Sequence, residues 1–164
     1  MGSDIEYIDY TVFLGMNAAS EPLRRRCKVF VGDRLESEMV MTWDHVGRCD
    51  DIIWSYSRRL QDLYYPFMDG LHSQRCVRRE GYEESSLRLA LSDSRLQRLP
   101  VLQRLLVARA LEQKAVIYTL DPALLREEGL PIRAPLECAE EKAFPEWLEG
   151  LYQRSLELRV PLFT

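Results

Sequence analysis

Hydrophobic positions along the chain alternate between two patterns. Short apolar runs, Tyr7-Ile8, Met39-Val40-Met41 and Val116-Ile117-Tyr118, have the length and residue types of buried parallel strands. Between them the apolar residues recur every three or four positions. Leu23, Cys27, Phe30 and Val31 predict a helix from Glu21 that Gly32 ends. Thr42-Trp43-Asp44 supplies the next helix start, with Asp44 the better cap, and Val46, Asp50, Ile53, Ser57 and Leu60 fall on one stripe of a long helix. Pro66 disfavours helical geometry at Tyr65 and Gly70 loosens the residues after it, so Tyr64 to His72 is predicted to kink or to join two helices.

The second half repeats the alternation. Leu87, Leu89 and Ala90 carry a helix that stops at Ser92-Asp93-Ser94. Pro100 stands where a helix N-terminus tolerates it, and Leu102, Leu105, Leu106 and Ala110 point inward along a helix reaching Gln113. That helix runs straight into the strand Val116–Tyr118, which is half of a parallel β-α-β unit. After Asp121, Pro122 to Leu125 starts a short helix, Gly129 stops it, and Pro131 to Pro135 reads as a short edge strand. A final helix from Phe144 to Leu158 turns Trp147, Leu148, Leu151, Tyr152 and Leu158 to one side.

The chain has 164 residues, enough for one domain with its own core. The expected organisation is a single domain over residues 1–164, with 136–164 a C-terminal helical extension packed on it. No run approaches the roughly 20 apolar residues of a membrane helix. The N-terminus lacks the basic and apolar regions of an export signal, so the cytoplasm is the expected location and no membrane partner is expected. Cys27, Cys49, Cys76 and Cys138 lack zinc-site spacing and read as reduced thiols. A net charge of −4 argues against duplex nucleic acid as the main partner. The local patches at Arg24–Arg26 and at Arg75, Arg78 and Arg79 read first as solvated helix faces, the former mainly opposite its helix's apolar side.

Candidate chemistry gathers where strands end. Ala115 to Asp121, A-V-I-Y-T-L-D, joins an apolar run to a hydroxyl and a carboxylate at its end, and Tyr7-Ile8 runs into Asp9 in the same way. Open α/β sheets bind ligands outside the carboxyl ends of their strands. Each aspartate reads equally as a helix cap. Asp50, on a stripe that touches the sheet, needs a partner, because an unpaired buried carboxylate costs several kcal/mol; Asp51 points about a quarter-turn away. Asp69 and His72, three apart, suit a metal or a hydrogen-bonded pair.

The order of these features, Ile8-Asp9, then Met39-Val40-Met41-Thr42 before a helix with an acidic residue, then Ala108-Arg109-Ala110-Leu111-Glu112 into Ile117-Tyr118-Thr119-Leu120-Asp121, resembles the PIN domain over about residues 5 to 135. The helix-strand-T-x-D block is its most specific part. The resemblance implies a three-layer α/β/α sandwich with a mostly parallel central sheet. It also implies a ring of acids holding Mg²⁺ or Mn²⁺, which activates water to cleave RNA, as in the ribonuclease toxins and RNA-processing nucleases of that family. By position, Asp9 matches the first acid, Asp50 or Asp51 the second and Asp121 the last. Gln103 falls where the third acid is expected and brings no charge; Asp93, Asp69 or His72 would have to substitute. His45 to His72 departs from the toxin enzymes and is similar instead to an uncharacterised, divergent branch of the superfamily.

Three functions stand as expectations. One is a metal-dependent ribonuclease using Asp9, Asp50 and Asp121, with arginines guiding RNA. Another is a non-catalytic PIN-like binding or accessory protein with a degenerate acidic site, serving a ligand, a partner protein or structure alone. The third is iron or zinc chemistry at His45, Asp69 or His72. The aromatics of Tyr64 to Phe67 and the last helix suit either core packing or a homodimer surface.

Overall fold

The computed structural model describes residues 5–74 and 76–163. Five strands form one all-parallel sheet: β1 (Glu6–Ile8), β2 (Met39–Thr42), β3 (Val77–Glu80), β4 (Val116–Tyr118) and β5 (Ile132–Arg133), in the order β3-β2-β1-β4-β5. Helices cover both faces, giving a three-layer α/β/α sandwich. One face carries α1 (Tyr10–Gly15), α2 (Glu21–Gly32), α3 (Trp43–Ile53), α4 (Arg58–Ser73) and, packed on α4, α8 (Glu146–Ser155). The other carries α5 (Glu84–Ser92), α6 (Val101–Glu112) and the short α7 (Pro122–Leu125). Alternation within each strand sorts the core: Ile8, Met39 and Met41 face the first layer, Tyr7, Val40 and Ile117 the second. Register pairs Glu6 with both Met39 and Val116, and Ile8 with Tyr118, so the carboxyl ends of β1 and β4 lie level. Among the described residues no helix is long and apolar enough to cross a membrane.

The Tyr7-Ile8 strand is followed at once by α1, whose start the Asp9 side chain caps by accepting from Thr11 N at 3.0 Å and Val12 N at 3.2 Å, so the cap reading of Asp9 holds. Several expectations change. The long helix predicted through Leu60 is two helices. α3 stops at Ile53, and Ser57 caps α4 by accepting from Leu60 N. At the other end of α3 the cap position is Thr42, while Asp44 sits inside the first turn, bonded to His45 N at 3.0 Å and to the Tyr82 hydroxyl. Tyr64 to His72 does not join two helices: α4 runs on through Pro66, with Tyr64, Phe67, Met68 and Leu71 buried. Gly70 faces α8, where a Cβ would make ordinary van der Waals contact, 3.5–3.6 Å, with Trp147, Leu148 and Leu151.

β3 goes unpredicted because Val77-Arg78-Arg79-Glu80 has one apolar residue, which is enough for an edge strand. Arg78 and Arg79 therefore lie on a strand rather than a helix face, and Arg75 lies outside the described residues. The Arg24 side of α2 is not solvated either. Arg24 and Lys28 are buried, paired with Glu21, Glu141 and Glu149 and roofed by Tyr152.

Candidate functional site

The carboxyl edge of β1 and β4 is built around Asp9, which is 1 % exposed. Its Oδ1 accepts from Thr11 N, Val12 N and the Thr11 hydroxyl, and its Oδ2 accepts from the Thr119 hydroxyl. Both hydroxyls are themselves engaged as acceptors, Thr11 from Leu120 N at 2.8 Å and Thr119 from Asp121 N at 3.0 Å. Backbone donors thus fill the outer lone pairs and turn both hydroxyl protons onto the carboxylate. Burial pushes the Asp9 carboxyl up, while the His45 imidazole and the two hydroxyls pull the other way.

The face of α3 turned toward Asp9 carries no carboxylate. His45 is fully buried; its Nδ1 accepts from Tyr10 N at 3.3 Å, which leaves the proton on Nε2. Nε2 makes no hydrogen bond, although the Leu102 carbonyl lies near enough to favour the protonated ring. Burial nevertheless holds His45 below the ordinary imidazole range, against Asp9 and Asp44. One turn on, Cys49 is equally buried and its thiol is pushed well up by burial, with Asp50 and Asp9 adding to the shift. Tyr10 stacks on His45 with ring centroids 5.8 Å apart, and the Arg48 guanidinium lies 5.7 Å from the Tyr10 ring.

The predicted residues divide accordingly. Asp9 and Asp121 share the edge, bridged by Thr119. Asp121 is half-buried, and its Oδ1 caps α7 by accepting from Ala123 N at 2.9 Å. Asp50 is half-buried and accepts from the Tyr65 hydroxyl of α4 at 3.0 Å; it is not on the stripe that meets the sheet. The buried positions of α3 are His45, Val46, Cys49 and Ile53, one residue out of phase with the predicted stripe. Asp51 is exposed and paired with Arg48. Gln103, in the first turn of α6 beside Leu102, leaves Oε1 buried without a partner.

The additional candidates lie elsewhere. Asp69 is exposed and His72 faces the other way, stacked on Phe13 at 5.3 Å with both ring nitrogens unpartnered, so no Asp–His pair forms. Asp93 pairs with Arg95. Sequence reasoning missed Thr11, Arg48 and Cys49, and named His45 only as a candidate iron or zinc ligand. The signal was the V-G-R-C-D-D block with His45 four residues before Cys49, a spacing that places both on one helix face.

The donor set does not fit a divalent cation. Mg²⁺ and Mn²⁺ need several free oxygens converging on one point. Asp9 has spent its oxygens on its own chain, Asp50 faces α4, and among the described residues no three His, Cys, Asp or Glu side chains stand close enough to hold a metal ion. What the arrangement does is bury a carboxylate at a strand end with hydroxyls and an imidazole as its company.

Outside that centre the rim is open. Trp43, the first residue of α3, is 54 % exposed, and the guanidinium of Arg79 on β3 lies 4.9 Å from its ring. Arg79 has no acidic partner among the described residues.

A comparison with curated proteins gives no match. A strand-end aspartate sealed by Thr11 and Thr119 beside a helix bearing His45 and Cys49 is therefore described within its own family: the chain belongs to the Family of unknown function (DUF6190), whose profile matches residues 1–163.

Proposed function

We propose that this protein is a divergent PIN-like domain whose acidic edge has become structural, and that it acts in the cytoplasm as a non-cleaving binding or accessory protein. The observation that carries this reading is the saturation of Asp9: four donors of its own chain occupy both carboxylate oxygens, and α3 presents His45 and Cys49 where a second acid would have to stand. Both Asp9 oxygens are met by donors of the chain itself, with the Arg48 guanidinium on the Tyr10 ring nearby.

Recognition then falls to the exposed rim. A half-exposed indole with an arginine over it, beside a second arginine–tyrosine stack, suits the bases and phosphates of single-stranded RNA. RNA is the ligand class the PIN-like resemblance implies, and a partner protein is the other class to test.

The deciding experiment incubates the intact protein with single-stranded and hairpin RNA in Mg²⁺ and in Mn²⁺. The expected result is no cleavage above a protein-free blank, with RNA retention, read by fluorescence anisotropy, that weakens in Trp43→Ala and Arg79→Ala. Metal-dependent cleavage that disappears in both Asp9→Asn and Asp121→Asn while the variants stay folded would overturn the reading. Absence of both cleavage and retention would remove RNA and leave the partner protein.

A further inference from the structure

Most arginines of this chain hold a carboxylate, as Arg24 holds Glu21 and Arg109 holds Glu80. Two neighbours in the first turns of α2 do not. Arg25 is half-buried and has no hydrogen bond, ion pair or ring contact among the described residues, and its Nε is shut off from solvent without an acceptor. Arg26 donates Nε to the Pro135 carbonyl at 2.6 Å and meets no acid, so its two terminal nitrogens stay unengaged among the described residues. A guanidinium carries five donors, and holding it partly out of water with nothing to accept from it is unfavourable.

Both arginines line a cavity of about 170 Å³, together with Pro22, Glu137 and Cys138. One wall is the start of α2. The other is the loop after β5, which is fastened to α2 at both ends, Pro135 by Arg26 and Glu141 by Arg24 and Lys28. Glu137, between those ties, borders the cavity yet makes no hydrogen bond or ion pair with Arg25, Arg26 or any other described residue. Opposite charges thus face one small space and do not close it. Its volume is below the roughly 300–1,000 Å³ of sites for drug-sized molecules, so the occupant is a small ion.

Two guanidiniums and one carboxylate set the chemistry of that ion. Guanidinium forks take the paired anionic oxygens of a tetrahedral oxyanion. A carboxylate has only lone pairs to offer, so it repels a bare anionic oxygen and accepts from one that carries a proton. Hydrogen phosphate and sulfate share shape and double negative charge. Only hydrogen phosphate has a hydroxyl.

We propose that this cavity binds the free hydrogen phosphate ion. Arg25 and Arg26 hold its anionic oxygens, and its hydroxyl donates to Glu137. The Cys138 thiol borders the ion and reports on it, because Cys27, Cys49 and Cys76 are buried. The site shares no residue with the acidic edge or the Trp43 rim, so its failure leaves the function proposed above untouched.

Isothermal titration of the intact protein at neutral pH with sodium phosphate and, separately, with sodium sulfate tests it. Saturable phosphate binding is expected, with sulfate weaker by tenfold or more. Arg25→Ala should weaken phosphate tenfold or more; Arg25 holds no other side chain, so its loss leaves the fold in place. Glu137→Gln, whose amide can donate to a bare oxygen, should abolish the preference over sulfate. Saturating phosphate should also slow the alkylation of Cys138 by iodoacetamide, read by mass spectrometry, in the parent and not in Arg25→Ala. Arg154→Ala, which removes an exposed cation outside the cavity, should bind phosphate as the parent does. No saturable phosphate binding up to about 10 mM, sulfate bound as tightly as phosphate, full binding by Arg25→Ala, or a Cys138 rate indifferent to phosphate would each overturn the proposal.

Discussion

Thr119 donates its hydroxyl proton to Asp9 while its oxygen accepts from the Asp121 amide, so one side chain fastens the end of β4 to the end of β1. Both groups it serves are at the carboxyl edge, and the Asp9 end is fully buried. Thr119→Val keeps the shape and deletes the bond, leaving a buried carboxylate oxygen and an amide each one partner short. The expected cost is about 1–3 kcal/mol in urea denaturation, with Thr119→Ser close to wild type. A Thr119→Val variant as stable as the parent would mean that Asp9 does not depend on this hydroxyl.

His72 carries a second expectation. Burial first, and Arg79 second, push its imidazole down to about 4, against about 6.5 in an unfolded chain. The unfolded state therefore binds the extra proton more readily throughout that interval, and the stability that neutral His72 contributes is complete above about pH 6.5 and lost as pH falls toward 4. Between pH 7 and pH 5 the wild-type protein should lose about 2 kcal/mol through this group alone. His72→Phe, which keeps the stack on Phe13 and has no nitrogen to protonate, should flatten that part of the pH–stability curve. Identical curves for the two proteins would assign the acid sensitivity elsewhere.

The strands other than β3, the helix over Glu21–Gly32 and the T-x-D turn are legible in the residues because each writes its own local pattern: a short apolar run, a three- and four-residue spacing, a cap. The phase of α3 is not. Val46 and Ile53 are buried in either reading, and a rotation of one residue exchanges Asp50 for Cys49 on the sheet-facing side. Only packing against Tyr10 and α4 fixes that rotation. Nor does composition reveal that Arg24 and Lys28 are buried, since their partners Glu141 and Glu149 lie more than a hundred residues away. The acidic edge is thus half readable: Asp9 and Asp121 from strand ends, but not the Thr11 and Thr119 hydroxyls that bond the Asp9 carboxylate.

Gly15 tests how tightly α1, which positions Asp9, is set against α2 and β4. A Cβ at that position would stand 2.5 Å from Cys27 Sγ and 2.9 Å from Leu120 Cδ1. Gly15→Ala should therefore destabilise by about 1–3 kcal/mol despite the better helix propensity of alanine. Cys27→Ala removes the sulfur that clashes, so the double variant should be more stable than the sum of the two single changes. Additive losses would place the strain somewhere other than the Gly15–Cys27 contact.

Lys28 holds the segment before α8 in place. Its Nζ reaches Glu141 at 2.7 Å and Glu149 at 2.8 Å, between the Phe144 ring at 5.2 Å and the Tyr152 ring at 4.8 Å. Arg24 supports Glu141 from the same helix, and Phe144 N and Gln153 support Glu149, so the two acids would survive the loss of one cation only partly paired. Lys28→Met matches the length of the stem but leaves those carboxylates facing two aromatic rings. Breaking a buried pair from one side costs about 3–5 kcal/mol, and the partial exposure of Glu141 and Glu149 brings the expectation to the lower end, about 3 kcal/mol. Because residues 136–145 have no regular structure of their own and are held through Glu141, the loss should appear there first. Limited proteolysis of Lys28→Met should cut between Leu136 and Phe144 under conditions that leave the parent intact. If the parent and Lys28→Met are cut at the same rate in that segment, it is held by the Arg24 pairing and the Phe144–Tyr152 ring contact alone.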